Sequence, residues 1–407
     1  MNIGILGAGT VSAVSILSII TLCHENEINF HENFNITCIY NPSIPTLTVG
    51  EAITGSLHKA LYNVLDFHPE DLVKEIDGTY RAFSRIFWRN DRTFDVLYGL
   101  PPGLHINSEK FSKYVITRLK KLYNNFFCVE DNIKEIMNNK NDVVVFCEKN
   151  TYKFDFIIDC RGFPSKEELN SEQYAKPDFE TVNSAILYPD FKFYDECFSS
   201  THFHENGWMF GIPLRNRKTY GYLYNTAITN KDDAVNHFSQ IKNIDASSLR
   251  TLNWSQYYRK NVVDNRILYM GNKLFFFEPQ QALPAHFYFN ICKNLTYFLI
   301  KNNMIYDDNV GKLVNQKYKI NIQLAQDLIA MNYAGCCDTT TEFWKVIPTL
   351  ARKRLKDSVY FQQWMNDVIT NKKYFSYWFL EPKLMKSYIE GYQINLESLY
   401  NADLFKS

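Results

Sequence analysis

Residues 2–22 read NIGILGAGTVSAVSILSIITL, and the reading of this stretch decides the fold. Residues 2–6 are a short apolar run that stops at Gly7-Ala8-Gly9, and residues 11–22 are apolar enough for a buried helix. Strand, glycine turn and helix in that order open a dinucleotide-binding βαβ unit. In such a turn the first glycine makes the bend, the second lets backbone approach a pyrophosphate, and the third lets helix and strand pack closely. Here the series is Gly7, Gly9 and Ser12, so a small residue only approximates the third glycine. Taken alone, the turn also fits a sheet protein that binds no nucleotide.

Outward from this unit, residues 34–40 (FNITCIY) predict the next strand. Residues 142–148 (DVVVFCE) and 152–158 (YKFDFII), parted by a polar turn, predict a hairpin that leads into Asp159. The interval 180–225 reads as several strands, and the chain turns mainly helical from about residue 285. The clearest helical periods lie at 285–301, 320–334 and 350–370. The absence of an internal repeat or low-complexity linker predicts segments woven together.

Composition narrows the function. A chain of 407 residues can bury a sizeable core. Lys plus Arg and Asp plus Glu both number 44, so no net field points to nucleic acid, an anionic membrane or a polyanion. A small molecule is the expected ligand. The 31 Phe and 27 Tyr point first to a ring-rich core and second to stacked substrates. Nine scattered cysteines, without a CxxC pair or a His-spaced set, predict reduced thiols in a cytoplasmic protein, with no zinc site. The adjacent Cys336 and Cys337 read as free thiols. No basic segment precedes the first apolar stretch, which Gly7, Gly9, Ser12 and Ser15 interrupt, so neither a signal peptide nor a membrane span is expected.

Residues 36–53 read ITCIYNPSIPTLTVGEAI, and here the sequence resembles the flavin-dependent tryptophan halogenase family, which carries a strand, an IPT segment and a VGEAT-like flavin loop. The resemblance continues, in family order, through HINSEKFSKYV at 105–115, FIIDCRGF at 156–163 and GWMFGIPL at 207–214. It extends to RILYMGNKLFFFEP at 266–279 and NYAGCCDTTTEFW at 332–344. It implies an α/β fold with a Rossmann-like FAD-binding core in two parts, 1–164 and 261–300. A β-rich substrate-facing segment, 165–260, interrupts the core, and a helical part, 301–407, completes the chain.

The implied activity is that of an oxidoreductase. FADH2 from a separate flavin reductase, with oxygen and halide, yields a hypohalous acid that attacks an electron-rich aromatic small molecule. The implied flavin positions are Gly7, Gly9, Ser12, Gly50, Glu51, Asp159, Gly162, Gly271, Glu278 and Pro279. GWMFGIPL is similar to the family's Trp-x-Trp-x-Ile-Pro signature, which places Trp208 near the flavin, with Phe210 where the second Trp stands.

Four departures bear on the chemistry. Tyr40 stands where the family has the glutamate that bonds the ribose hydroxyls, and a phenol cannot clamp a diol as a carboxylate does. Pro284, which has no N–H, falls on a glycine that serves the halide. Arg81 occupies the catalytic lysine position in GTYRAFSRIFW (78–88), and Gln281 replaces the partner glutamate. A guanidinium stays protonated and only donates hydrogen bonds, and an amide is no general base near neutral pH. An activated phenol or pyrrole needs little help in losing its proton, so halogenation stays the leading reading. The alternatives are an FAD-dependent monooxygenase or oxidase, or a catalytically silent flavin- or ligand-binding member. A shifted alignment would instead use Lys74 or Lys273. Arg81 read structurally is an arginine paired with a carboxylate, and Gln281 a satisfied buried amide. His202, His204 and His286 lack metal spacing and read as surface or packing residues.

Overall fold

The computed structural model describes residues 1–45, 51–88, 92–280, 283–335, 340–371, 373 and 380–401. Contacts gather the chain into two compact units. The first holds Met1–Thr79, Gly103–Ala175 and Tyr257–Lys319, and the second Tyr80–Pro102, Lys176–Gln256 and Ile320–Ser407. Residues 80–102 thus leave the expected first segment for the second unit, and the chain past residue 300 is divided between the two.

In the first unit a six-stranded sheet runs, in order across it, Val263–Asp264, Ile267–Tyr269, Phe156–Asp159, Asn2–Leu6, Asn35–Tyr40 and Phe126–Glu130. All neighbours are parallel except the first pair. Buried parallel strands read as near-continuous apolar runs because both faces are covered. Phe156–Asp159 accordingly has all four residues buried. The predicted strand at 152–158 is in fact two strands. Thr151–Phe154 joins Val143–Cys147 in the expected hairpin, and the break comes at Asp155, whose N–H donates to Asn2 O at 2.9 Å. Its carboxylate accepts from Asn2 N at 2.7 Å, so the chain re-enters beside the first strand. Val143, Val145 and Phe154 then pack on Leu6, Ile39, Ile157 and Ile267.

The second unit is built on a seven-stranded sheet, ordered Arg250–Asn253, Ser184–Asp190, Arg217–Tyr224, Gly207–Leu214, Phe198–His204, Phe83–Phe87 and Thr93–Leu97. Alternation along Gly207–Leu214 sends Met209 to one face, where it packs with Ile186, Tyr222 and Tyr224 against Ala234 and Phe238 of the helix Lys231–Lys242. Trp208 and Phe210 point to the other face. The Phe210 ring lies over its cross-strand partner Gly221, where an added Cβ would stand 2.2 Å from Cζ. The predicted helix at 350–370 divides at Ser358 into Glu342–Asp357 and Val359–Asn371. Ser358 Oγ accepts from Phe361 N at 3.3 Å, the N-cap geometry that starts a new helix.

Among the described residues no helix is long and apolar enough to cross a membrane, and no group of three or more His, Cys, Asp or Glu could hold a metal ion.

Candidate active site

The glycine turn leaves the strand Asn2–Leu6 and enters the helix Thr10–Glu25. Gly7 has φ +104°, which side chains resist, and a Cβ there would sit 3.3 Å from Cys160 O. Gly7 N donates to Ile39 O at 2.8 Å, and Gly7 O accepts from Ser12 Oγ at 2.8 Å and Cys38 Sγ at 3.1 Å. Ser12 therefore fastens the turn in place of the third glycine. Gly9 differs: its φ is −85°, and a Cβ would meet no protein atom within 4 Å. That free space lies at the start of a helix with no side-chain cap and no acidic residue in its first turn. Its first N–H groups and its dipole therefore favour an anion.

Glu51 opens the strand Glu51–Ile53, which pairs with Gly103–Ile106. Burial pushes its carboxyl above the usual carboxylate range, while the Ser108 and Thr10 hydroxyls beside it pull the other way. Both hydroxyls are buried, and the Glu51 carboxyl is the group beside them. Gly271, with φ +64°, brings its loop onto Val11 of the same helix, where an added Cβ would meet Cγ2 at 3.1 Å. The turn, Glu51 and the Gly271 loop thus converge on one helix N-terminus, with hydroxyls around the buried carboxyl and open space at Gly9. These residues fit a dinucleotide.

The other expected flavin positions vary. Asp159, at the C-terminal end of its strand, is clamped by Arg161, whose Nε and Nη2 both donate to it at 2.8 Å. Gly162 stands in open space. Glu278 is buried and Pro279 exposed. Gln280 is buried with no partner for its Oε1. Pro284 falls in the first turn of the helix Leu283–Lys301, where proline is well tolerated. Gly50, Gln281 and the cysteine pair Cys336-Cys337 lie outside the described residues.

Arg81 and Trp208 belong to the second unit. Arg81 is 3% exposed, and among the described residues its hydrogen bonds go to hydroxyls. Its Nε donates to Ser199 Oγ at 2.9 Å, and its Nη2 to Ser84 Oγ at 3.0 Å and Tyr98 Oη at 2.6 Å. The guanidinium also lies 4.3 Å from the centroid of the Tyr98 ring. Two other arginines are buried, and each has a carboxylate: Arg354 donates to Asp327 at 2.9 Å, and Arg259 lies 3.6 Å from Asp264. Arg81 has none within 4.0 Å among the described residues. Among the described residues its partners are hydroxyls and a ring. Lys74 and Lys273, the alternative lysines, are committed to Glu70 and Glu168, each at 2.6 Å.

Trp208 is buried, and its Nε1 donates to Tyr333 Oη at 2.8 Å. Around it in the same unit Phe203 stacks on Trp344 at 4.4 Å, and Trp88 meets Phe203, Trp344 and Tyr392 edge-on. These rings are mostly core, as the composition suggests. His202 and His204 are half-buried packing residues whose pKa values are lowered to about 4 and about 3, mainly by burial.

The sequence pattern of the tryptophan halogenase family matches residues 2–118 and 89–378. The chain belongs to this family. As a tryptophan halogenase relative it is 21% identical over 432 residues to tryptophan 7-halogenase KtzQ of Kutzneria sp. (strain 744), covering 86% of this chain and 79% of KtzQ. The tryptophan halogenase structure from Shewanella frigidimarina NCIMB 400 superposes with a TM-score of 0.80 at 18% identity, over 97% of this chain and 89% of that one. BrvH, a flavin-dependent halogenase from Brevundimonas sp. BAL3, gives 0.77 at 14% identity, over 98% and 90%.

Reading the sequence missed what surrounds the candidate residues. Tyr98, Ser84 and Ser199 around Arg81, the Arg161 clamp on Asp159, and Tyr333 behind Trp208 carried no motif. Only Arg161, two residues from Asp159, could have been suspected from spacing.

Proposed function

We propose that this protein is a flavin-dependent halogenase of altered active-site chemistry, acting on a small electron-rich aromatic molecule that carries or readily forms an anion. Reduced FAD, when bound, supplies the two electrons that turn oxygen and halide into an electrophilic halogen donor. Overall FADH2, oxygen, halide, one proton and ArH are consumed, and FAD, ArX and two waters are formed. A separate flavin reductase supplies the FADH2, and the thiols fit a reducing, cytoplasmic setting.

The observation that carries the reading is the buried Arg81 guanidinium, with no carboxylate within 4.0 Å among the described residues, in the segment that resembles the family's lysine segment. A buried ion that lacks a carboxylate is costly, so an anion in contact with it gains a large part of its Coulomb energy. Arg81 therefore binds the anionic group and donates hydrogen bonds to the halogen donor's oxygen, but never itself carries the halogen. Gln281, as an amide, takes no proton, so the ring must be activated enough to lose its own. Around the flavin, the backbone at Gly7 and Gly9 with the helix start takes the pyrophosphate, and Ser12 fastens the turn. Glu51, Asp159, Gly162, Gly271, Glu278 and Pro279 line the remaining length. Trp208, fixed by Tyr333, keeps a rigid aromatic wall.

A second reading, oxygen transfer without halogenation, is favoured by Pro284, which brings no N–H to the halide position. The test is aerobic turnover with a generic flavin reductase, FAD, NADH, bromide and a very electron-rich phenol, read by mass spectrometry for the bromine isotope pair. Brominated phenol above the enzyme-free control is expected. FAD binding and NADH consumption with hydroxylated phenol alone would replace this reading by the second.

A further inference from the structure

The end of the second parallel strand is where a nucleotide-binding sheet ordinarily presents a carboxylate to the ribose diol, and here it presents Tyr40. The missing charge stands one strand over. Asn35–Tyr40 and Phe126–Glu130 pair in parallel with Tyr40 opposite Glu130, both at the carboxyl end of the sheet. The Tyr40 hydroxyl donates to Glu130 Oε1 at 3.2 Å. Burial, then this bond, pushes the phenol up to about 12, so it stays a donor at any working pH. The ladder also fixes the pair relative to the phosphate turn. Ile39 O holds Gly7 N, Cys38 Sγ donates to Gly7 O, and Asp131 N donates to Tyr40 O at 3.1 Å. Glu130 is exposed, and its Oε2 has no protein partner among the described residues.

We propose that Glu130, oriented by Tyr40, binds the ribose hydroxyls of the cofactor's adenosine end, so that the carboxylate of this subsite has moved from the second strand to its neighbour. The proposal rests on the flavin reading above. Glu130 Oε2 accepts from a ribose hydroxyl, Oε1 is occupied by Tyr40, and the phenol is a positioning group. A neutral amide at position 130 would keep the shape and lose the charge-assisted bond.

The test compares FAD with FMN, which lacks the adenosine end, by quenching of flavin fluorescence on titration into purified full-length protein. Glu130→Gln should weaken FAD about tenfold and leave FMN unchanged. Tyr40→Phe should weaken FAD about threefold in the parent and not at all in the Glu130→Gln background. The double variant Tyr40→Glu with Glu130→Gln should recover most of the loss, since it returns the carboxylate to the second strand. Unchanged FAD affinity in Glu130→Gln, or equal losses for FAD and FMN, would overturn the proposal while leaving the flavin reading intact. Failure of the unaltered protein to bind either flavin would overturn both.

Discussion

Replacing Arg81 by methionine separates a residue kept for chemistry from one kept for stability. A buried ion costs several kcal/mol of desolvation, even after relaxation. Against that stand three hydrogen bonds from Arg81 to neutral hydroxyls, at 2.6–3.0 Å, and the contact with the Tyr98 ring. Charged-group bonds contribute about 1.5–3 kcal/mol each and a cation–π contact about 0.5–2 kcal/mol. The two sums are of similar size. Truncating one member of a buried ion pair usually costs about 3–5 kcal/mol because a charge is left behind. Here, among the described residues, no carboxylate is orphaned, and Ser84 Oγ and Tyr98 Oη remain bonded to each other at 2.7 Å. Arg81→Met should therefore stay within about 2 kcal/mol of the parent in either direction. For a unit of this size each kcal/mol moves the melting midpoint by about 2–4 °C. Turnover with an anionic or phenolic aromatic substrate should fall at least a hundredfold, the scale for one lost electrostatic contact to the reacting groups. Scanning fluorimetry and the bromination assay on the same sample decide it. A loss above about 4 kcal/mol with unfolding at assay temperature, or undiminished turnover, would refute the argument that the uncompensated charge is functional.

Gly9→Ala should leave the melting midpoint unchanged, since a Cβ meets nothing within 4 Å, yet weaken FAD at least tenfold by filling the space beside the helix start. Gly7→Ala, at φ +104°, should instead destabilise by about 1–3 kcal/mol, measured by denaturant unfolding. Gly221→Ala should displace the Phe210 ring from 2.2 Å to ordinary contact and cost about 1–3 kcal/mol of overpacking. A smaller companion change, Phe210→Leu in the same chain, should restore part of that loss. His286 has its pKa lowered from 6.5 to about 4, mainly by burial and then by Lys293, so the folded state holds it neutral. Its contribution is complete above about pH 6.5 and is lost as pH falls toward about 4. His286→Gln should flatten the melting midpoint against pH across that window, and an unchanged slope there would remove His286 from the acid response.

Much of the architecture was legible because it is local. A short, mostly apolar run, a glycine turn and an apolar helix determine a strand, a tight bend and a buried helix through short-range sterics and burial, and the parallel sheet follows. The strands within 180–225 were legible for the same reason, and so was the family, whose segments stand in order along the chain. The break at Asp155 was not, because YKFDFII reads as one β-rich segment in sequence. Only the pairing of Phe156–Asp159 with Asn2–Leu6 makes its second half a different strand.

The chemistry at the candidate site was legible in identity and not in environment. Sequence put Arg81 at the lysine position, but whether a carboxylate answers it depends on the strand register that brings Ser199, 118 residues away, to its Nε. Likewise Tyr40 alone reads as a lost ribose ligand. The parallel register that sets Glu130, 90 residues later, beside it supplies the charge. Short-range preference along the chain determined which elements form and where the phosphate turn lies. Long-range pairing, which no local signal encodes, decided which charges are answered, and therefore what the site can bind.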